Sequence, residues 1–503
     1  MKFGPFTWIT RIILVAALAL SAQVATQGQT TNFRSYKLID IGGFGGPVSY
    51  LPNDFTGSGL GIPALINDKG TIVGAADTSI PNPTHGIGSG FLPDDPVIVH
   101  AFQWEKGILT DLGALPGGYN SFANWVSKSG LVAGVSENGV IDPQFGIAQV
   151  NAVVWKQSEI INLGGYFSEA FAVNNSGQAT GSTVDTAALP TVIFLAFLWQ
   201  HGQMETIGTL GGPGSFAVLI NEKGEVAGTS FINSSASSNC PFPLVSHPFL
   251  WGDGKMMDLG TFGGTCGLAL GLNNRGQVVG LSNLAGDQTA HPFLWDKGAL
   301  SDLGTLGGTF GFAQALNDAG EIAGAATNQG DEALLPFFWK NGVMTNLGTL
   351  NGEPCSTAQG MNSRGQVVGV SADCTIGGNA WLWESGGPLI DLNTLVGPSS
   401  LALEIAENIN DRGEIAGLGR PPSCDEAFEC GHAFVLIPIC ADGTEGCADA
   451  PLDPAVVAQS RATLGAAPKT MTAEELSTFK ERIARMHARV AGRNPGFGLW
   501  PRR

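Results

Sequence analysis

An internal repeat of four short apolar runs fills most of the sequence. Residues Ser301–Met344 show it in nearly minimal form, as SDLGTL, FAQALN, EIAGAA and LPFFW separated by turn signals. We name these runs D, A, B and C. Looser copies fill the chain between Tyr36 and Pro438, and each run occurs eight times. Because repeats share one core, the repeat constrains the fold more than the length of 503 residues does.

Each run has the pattern of a β-strand, because apolar residues alternate or pack over four to six positions. An Asn-x-x-Gly turn follows run A, as in Asn317–Gly320, and a Trp-x-x-Gly turn follows run C, as in Trp339–Gly342. Asn can close a turn with its own side chain and Gly accepts the left-handed conformation, so both are hairpin signals. One copy is therefore predicted to be a four-stranded antiparallel meander.

The spacing of the runs predicts two different faces. The final Asn of run A, or Ser127 in the second copy, lies seven residues before the Gly of run B in all eight copies. The Trp of run C lies nine residues before the Gly of run D in six of seven cases. The B–C spacing varies from 14 to 30 residues and the D–A spacing from 10 to 25. One face thus carries tight hairpins, and the other carries variable loops, where binding sites usually lie.

The two ends of the repeat predict its architecture. It begins with a D run at Tyr36 that no C run precedes, and it ends with a C run at His432–Pro438 that no D run follows. Each end therefore has the strand that the other end lacks. If the N-terminal strand completes the last copy, no edge remains unpaired. Four strands and about 45 residues per copy match a propeller blade. We predict an all-β, eight-bladed β-propeller at residues 36–438, with a solenoid or a seven-bladed ring as the alternative.

The segments outside the repeat predict export and a C-terminal helix. Residues 1–27 have a basic start and the apolar run IILVAALALSA, which is typical of a signal peptide; a retained anchor is the alternative, and no later stretch resembles a transmembrane segment. Residues 439–471 are small and polar, as in a linker. Residues 472–503 carry a capping box at Thr472 and Glu475, an amphipathic pattern and a basic tail. The helix either docks on the repeat domain or binds a partner.

Eight cysteines, all after residue 239, agree with an oxidising destination, so we expect a secreted or cell-surface protein. Those in variable loops share one face, which makes their pairing geometrically reasonable. We predict two disulfides that join loops, Cys240–Cys266 and Cys355–Cys374. We also predict Cys424–Cys430 within the last B–C loop and Cys440–Cys447 at the exit from the repeat.

The repeated words resemble those of a known family. DLGTLGG, LNDAGEIAG, LNNRGQVVG and HPFLW are similar to the repeats of the HAF family of bacterial extracellular repeat proteins, over roughly Tyr36 to Pro438. The pattern departs at Ser127, Leu436 and Asn393, which stand where other copies have Asn, Trp and Gly. The resemblance implies export and a repeat architecture, and it implies no activity or catalytic residue.

Composition and motifs restrict the chemistry. The net charge of -18 argues against a nucleic-acid partner, which requires clustered Lys and Arg. No zinc motif occurs, so no cofactor is predicted; calcium stays open because Asn-Asp-x-Gly turns such as Asn317–Gly320 resemble fragments of calcium loops. Four histidines open a C run, and we expect them to bond a neighbouring blade. They are His100, His247, His291 and His432.

The longest insertion, between Gly74 and Trp104, holds the weak catalytic candidates His85, Asp94 and Asp95. Unlike the acids of run D, these residues occur once, as a catalytic acid would. Three functions remain open: a secreted binding or scaffold module for an extracellular carbohydrate or protein, a polysaccharide hydrolase or lyase, and a structural cell-surface protein. We favour the monomeric binding module over an enzyme.

Overall fold

The computed structural model describes residues 33–52, 64–89, 92, 94–157, 159–237, 244–374, 378–424, 430–463 and 468–478. The predicted signal peptide, Cys240 and the basic tail after residue 478 lie outside the described residues. Within the described ranges, no helix combines the length and the hydropathy that crossing a membrane requires.

The described chain is mostly β-strand, which confirms the all-β prediction. Strands β1 to β13 are β1 (Ser35–Asp40), β2 (Gly45–Tyr50), β3 (Ile72–Pro81), β4 (Val97–Glu105), β5 (Ile108–Asp111), β6 (Ser121–Val126), β7 (Val132–Ile141), β8 (Ala148–Lys156), β9 (Glu159–Gly164), β10 (Ser168–Val173), β11 (Ala179–Val184), β12 (Phe194–Gln200) and β13 (Gln203–Thr206). Strands β14 to β25 are β14 (Ser215–Ile220), β15 (Val226–Ala236), β16 (Leu244–Gly252), β17 (Lys255–Asp258), β18 (Gly263–Leu272), β19 (Val278–Leu284), β20 (Ala290–Asp296), β21 (Ala299–Asp302), β22 (Gly307–Leu316), β23 (Ile322–Asn328), β24 (Leu334–Lys340) and β25 (Val343–Asn346). Strands β26 to β32 are β26 (Cys355–Met361), β27 (Val367–Ala372), β28 (Asn379–Trp383), β29 (Ile390–Asp391), β30 (Ala402–Ile409), β31 (Ile415–Arg420) and β32 (His432–Ile439).

Antiparallel pairing follows the order of runs A, B, C and D. Among the described residues there are four separate four-stranded sheets, ordered β2-β3-β4-β5, β6-β7-β8-β9, β10-β11-β12-β13 and β1-β32-β31-β30. A sixteen-stranded sheet holds β14 to β29, in which antiparallel groups of four are joined by parallel pairs. Each parallel link is a single residue pair, Ser246↔Cys266, Ala290↔Phe310 and Leu334↔Cys355. The mixed sheet is therefore a row of meanders, and successive meanders are joined in one sheet by a single backbone residue pair each.

The first and last strands of the described chain pair with each other. Strand β1 is antiparallel to β32, with a continuous register from Ser35↔Ile439 to Asp40↔Phe434. Strand β1 thus takes the position beside a C strand that run D takes in the other groups.

The Gly of run B lies at a close approach between strands. A register shift between Ala269 and Gly271 marks a β-bulge in β18, opposite Gly280 of β19. A Cβ atom on Gly280 would overlap the backbone carbonyl of Leu268 and lie 2.9 Å from the ring of Phe293. Phe293, the central aromatic residue of its C run, is fully buried. Packing of this ring against bare backbone explains why run B ends in Gly.

The Asn of run A links one copy to the next. In Asn317, the side-chain oxygen accepts hydrogen bonds from the backbone N–H groups of Ala319 and Glu321, both at 3.0 Å. Its amide nitrogen donates to the backbone oxygen of Asn362 in the next copy, at 3.3 Å. We name this row of links the asparagine belt. Its links run Asn67 to Ser127, Asn174 to Asn221, Asn221 to Asn273, Asn273 to Asn317, Asn317 to Asn362, Asn362 to Asn410, and Asn410 to Asn67.

Three predicted disulfides are present in the structure: Cys355–Cys374, Cys424–Cys430 and Cys440–Cys447. Cys266 is also disulfide-bonded, but its predicted partner Cys240 lies outside the described residues.

The predicted linker contains a helix, α1 (Pro454–Thr463). The Asp453 side chain accepts a hydrogen bond from the N–H of Ala455 at 2.8 Å, so Asp453-Pro454 is a cap followed by Pro in the first turn. The small, polar composition of residues 439–471 did not indicate this helix. The Asp-Pro pair was the available signal.

The C-terminal segment docks on the repeat domain. Residues 473–478 are helical, which we name α2, and the capping box is present: Thr472 N–H donates to Glu475 at 2.6 Å, and Glu475 N–H donates to the Thr472 hydroxyl at 3.1 Å. Met471 and Leu476 are buried in the main apolar core. The Met471 N–H also donates to the backbone oxygen of Glu332 at 2.6 Å. The segment is thus anchored at a variable B–C loop.

Candidate functional site

The insertion between β3 and β4 brings two of the predicted candidates together at the surface. His85 Nδ1 lies 3.3 Å from Asp94 Oδ1, and both side chains are about half exposed. The Gly86 N–H donates to Asp94 Oδ1 at 2.9 Å, which fixes the carboxylate across the loop. Their hydrogen bonds orient the pair while leaving it open to solvent.

Asp95 belongs to a different environment, together with two residues that the sequence analysis missed. Asp77 of β3 and Tyr50 of β2 are buried, at 3% and 2% exposure. Within the described part of the chain, Asp77 Oδ1 and Asp95 Oδ2 are buried carboxylate oxygens with no hydrogen-bond partner. Such oxygens are costly to bury, because they lose water without gaining a donor. The arrangement has unused capacity to accept hydrogen bonds.

Burial and neighbouring acids shift the pKa values of this group upward. Burial first, and then the charge of Asp95, raise the pKa of Asp77 to about 7, although hydrogen bonds from Tyr50 and the Val48 backbone lower it. Burial and the charge of Asp94 raise the pKa of Asp95, while His85 lowers it. Burial and the two acids raise the pKa of Tyr50 above its ordinary range. Asp77 can therefore hold a proton near neutral pH, which an exposed aspartate cannot.

A buried polar network joins this site to the second copy. Glu137 of β7 is 2% exposed, and it accepts hydrogen bonds from the Asn120 side chain at 2.9 Å and the Thr84 hydroxyl at 3.2 Å. Asn82 donates to the backbone oxygen of Asp95 at 2.9 Å, and its own side-chain oxygen accepts from Asn120 at 3.3 Å. The network sets the position of the Asp95 backbone.

One sequence signal could have found the missed acids. Asp77 and Glu137 both lie three residues after the Gly of run B. The other copies have Val, Phe, Asn, Thr, Ala or Arg at this position, so acids occur there in the first two copies alone. An acid in a strand position that is otherwise mostly apolar or neutral indicates a local role, and here both acids are buried.

Each repeated histidine pairs with an aspartate of the adjacent D strand, so the expected bond to a neighbouring blade was wrong for His100, His247 and His291. His432 does bond the neighbouring copy, through the backbone of β2. In each of the first three, the Nδ1–H donates to the carboxylate of the Asp that follows it by eleven residues, on the adjacent D strand. The pairs are His100–Asp111 at 2.9 Å, His247–Asp258 at 2.9 Å and His291–Asp302 at 2.8 Å. The reason is register, because the start of C and the end of D are direct neighbours. Burial alone would raise the pKa of Asp111 and Asp258, but hydrogen bonds from His and the Gly backbone lower it.

His432 makes the corresponding pair between the chain ends. Its Nδ1 lies 3.0 Å from Asp40 of β1, and its Nε2 lies 3.2 Å from the backbone oxygen of Pro47. Both partners are acceptors, so the ring satisfies them fully when both nitrogens are protonated. The hydrogen bond to Asp40 raises the pKa of His432, against an opposing effect of burial.

No group of three or more His, Cys, Asp or Glu side chains among the described residues has the arrangement of a metal site. In the Asn-Asp-x-Gly turns, the oxygens are engaged by amide donors. Asp318, for example, accepts hydrogen bonds from the backbone and side-chain nitrogens of Asn274, both at 2.9 Å.

Comparisons with known proteins identify no family. No family model and no curated protein matches the chain. The chain is similar to the beta-propeller domain of the Trilobed protease from Pyrococcus furiosus, at 10% identity and a TM-score of 0.38, covering 63% of this chain and 93% of that one. It is also similar to TolB from Acinetobacter baumannii, at 13% identity and a TM-score of 0.31, covering 63% and 78%. An acylaminoacyl peptidase from Pyrococcus horikoshii is similar at 10% identity and a TM-score of 0.36, covering 63% of this chain and 51% of that one. Similarities at these identities and TM-scores assign neither a family nor a function to the chain.

Proposed function

We propose that the chain is a secreted, eight-bladed β-propeller of the HAF repeat type, which acts as a binding module. The pairing of β1 with β32 and the link from Asn410 to Asn67 support a closed ring, because both join the last copy to the first. The disulfides support export, since such bonds persist in oxidising compartments.

Recognition takes place on the variable-loop face of the first two copies. The observation that carries this assignment is the pair of buried oxygens, Asp77 Oδ1 and Asp95 Oδ2, beside the exposed His85–Asp94 pair. A ligand that donates hydrogen bonds, such as a carbohydrate hydroxyl or a protein amine, would bind the half-exposed Asp94 carboxylate directly, and it would reach the two buried acceptors when the loop that covers them opens. The Glu137 network pre-organises the site, because it holds loops of two copies together.

A thermal-shift screen of the mature protein against oligosaccharides and peptides tests the proposal. The expected hits stabilise the native protein and lose this effect in Asp95→Asn. Asp302→Asn is a matched control, because Asp302 lies on an outer strand and Asn occupies the same position at Asn162 and Asn346. Hits that stabilise Asp95→Asn and the native protein equally would place recognition elsewhere.

A polysaccharide hydrolase or lyase is the second candidate. The raised pKa of Asp77, about 7, favours it, because a carboxyl that is protonated near neutral pH can act as a general acid. Turnover of an acidic or neutral polysaccharide that is lost in both Asp77→Asn and Asp95→Asn would establish this activity. Turnover retained in both variants would remove these acids as its source.

A further inference from the structure

We propose that the chain's own basic C-terminal segment, residues 479–503, docks on an acidic, apolar patch formed by the first two copies. The patch comprises Asp94 and Asp95 together with five exposed apolar side chains. These are Ile80, Ile87, Tyr119, Val140 and Ile141, with exposures of 54%, 41%, 39%, 47% and 49%. The inference rests on the proposed function for its location, since the patch adjoins the candidate site.

The apolar residues are concentrated on one side of the molecule. All five belong to variable connections or to strand ends that border them: Ile80 is the penultimate residue of β3, Ile87 lies in the loop before β4, and Val140 and Ile141 are the last two residues of β7. Tyr119 lies between β5 and β6. The remaining exposed large apolar residues of the described chain, Ile108, Met257 and Val343, lie instead on D strands. A cluster of this kind is typical of a docking surface.

The charge of the patch selects a cationic partner. Between Thr71 and Trp155 the chain contains two basic residues, Lys106 and Lys128, and both lie in tight turns on the opposite face. The loop face of the same copies carries Asp94 and Asp95. This face has no Lys or Arg, and the whole chain has a net charge of -18. It therefore attracts a segment that is both basic and apolar.

The C-terminal segment has this chemistry. Residues 479–503 contain seven Lys or Arg and one Glu, and their apolar residues include Phe479, Ile483, Met486 and Val490 at helical spacing. The segment also starts on the correct face. Met471 and Leu476 hold the preceding chain against the variable loops, and Lys469 pairs with Glu353 at 2.9 Å.

The length of the segment is sufficient. A body of about 400 residues has a radius of gyration of about 21 Å. Residues 479–503 reach about 37 Å as a helix and up to about 80 Å when extended. The segment can therefore cross from the sixth and seventh copies to the first two.

Hydrogen exchange on the full mature chain tests the proposal without any ligand. The wild-type protein is compared with a charge-reversed variant, Arg482→Glu/Arg485→Glu/Arg489→Glu, and with a matched variant that has Lys at the same positions. The expected result is that reversal reduces amide protection at residues 84–88 and 139–146 by at least about tenfold, whereas the Lys variant keeps it. Protection in β14 to β17 should not change, which controls for misfolding.

Two outcomes of the exchange experiment would contradict the proposal. Equal protection of the patch in all three proteins would show that the segment does not cover it. If the amide protection of the patch falls when the protein is diluted, and the protein forms a dimer in solution, a second copy of the chain covers the patch instead. A ligand screen that finds no hit would weaken the binding function, and it would leave the exchange result unaffected, so the two ideas can fail separately.

Discussion

Replacement of Asn410 by Ala tests whether the last copy contacts the first in solution. Asn410 is 4% exposed, and its side-chain oxygen accepts from the N–H groups of Arg412 and Glu414, both at 3.0 Å. Its amide nitrogen donates to the backbone oxygen of Asn67 at 2.9 Å and to Glu414 Oε2 at 2.6 Å. The truncation removes four contacts and leaves the backbone N–H groups of Arg412 and Glu414 without their partner, whereas the backbone oxygen of Asn67 keeps the N–H of Gly70.

The expected loss of stability is about 2–4 kcal/mol. A hydrogen bond contributes about 1 kcal/mol net, and each buried group left unsatisfied costs about 1–3 kcal/mol, partly relieved by water entering the turn. Asn410→Ser should cost less, about 1–2 kcal/mol, because a hydroxyl can still accept a backbone N–H. Ser127 does this in the second copy, where its oxygen accepts from Leu131 at 3.0 Å.

Denaturant unfolding of Asn410→Ala and Asn317→Ala, followed by tryptophan fluorescence, measures the effect. Asn317 makes the same set of contacts between two central copies, so it is the matched control. In a closed ring, both variants should lose a similar free energy of unfolding. Three of the four Asn410 contacts lie within its own turn, so only the bond to Asn67 distinguishes a closed ring from an open one. If Asn410→Ala loses about 1 kcal/mol less than Asn317→Ala, the link between the chain ends does not form in solution.

Three further predictions concern the same framework. Gly280→Ala should lower the free energy of unfolding by about 1–3 kcal/mol or more, as measured by denaturant titration, because its methyl group overlaps the Leu268 carbonyl. Ser127→Asn should increase the free energy of unfolding by about 1 kcal/mol, because Asn supplies the link of the asparagine belt that is absent in the second copy. The increase should be visible as a higher melting temperature. Because the pKa of His432 is raised in the folded protein, its pair with Asp40 stabilises the fold fully below pH 6.5, and this stabilisation is lost as the pH rises through the folded pKa. A pH titration of the melting temperature should show this loss. The His432→Gln variant should lack this pH dependence.

The repeat words predicted the strands, because apolar runs and turn residues are local signals. The Asn-x-x-Gly turn was correctly predicted as a hairpin, yet the amide that points away from the turn was not foreseen. The side-chain oxygen of Asn317 accepts a hydrogen bond within its own turn, and its side-chain nitrogen donates one to the next copy. The second contact depends on how copies stack, which no pattern within one copy encodes. The same applies to the histidines, whose partners follow from strand register.

The candidate site was located in part. The longest insertion drew attention to His85, Asp94 and Asp95, and the structure brings the first two together. Asp77 and Tyr50 were overlooked because they belong to strands, where residues usually serve packing. Their environment is set by the insertion folding back over β2 and β3, so burial and pKa could not be predicted from the residue types.

The pairing of the first strand with the last has a consequence for the timing of synthesis. Asp40 and His432, which are in contact, are 392 positions apart in the chain. At about 5–20 residues per second, β1 waits about 20–80 s before β32 exists. During that interval its edge has unpaired N–H and C=O groups that can pair with any other strand. The nascent chain is therefore most prone to aggregation through its N-terminal strand, until the final copy is made.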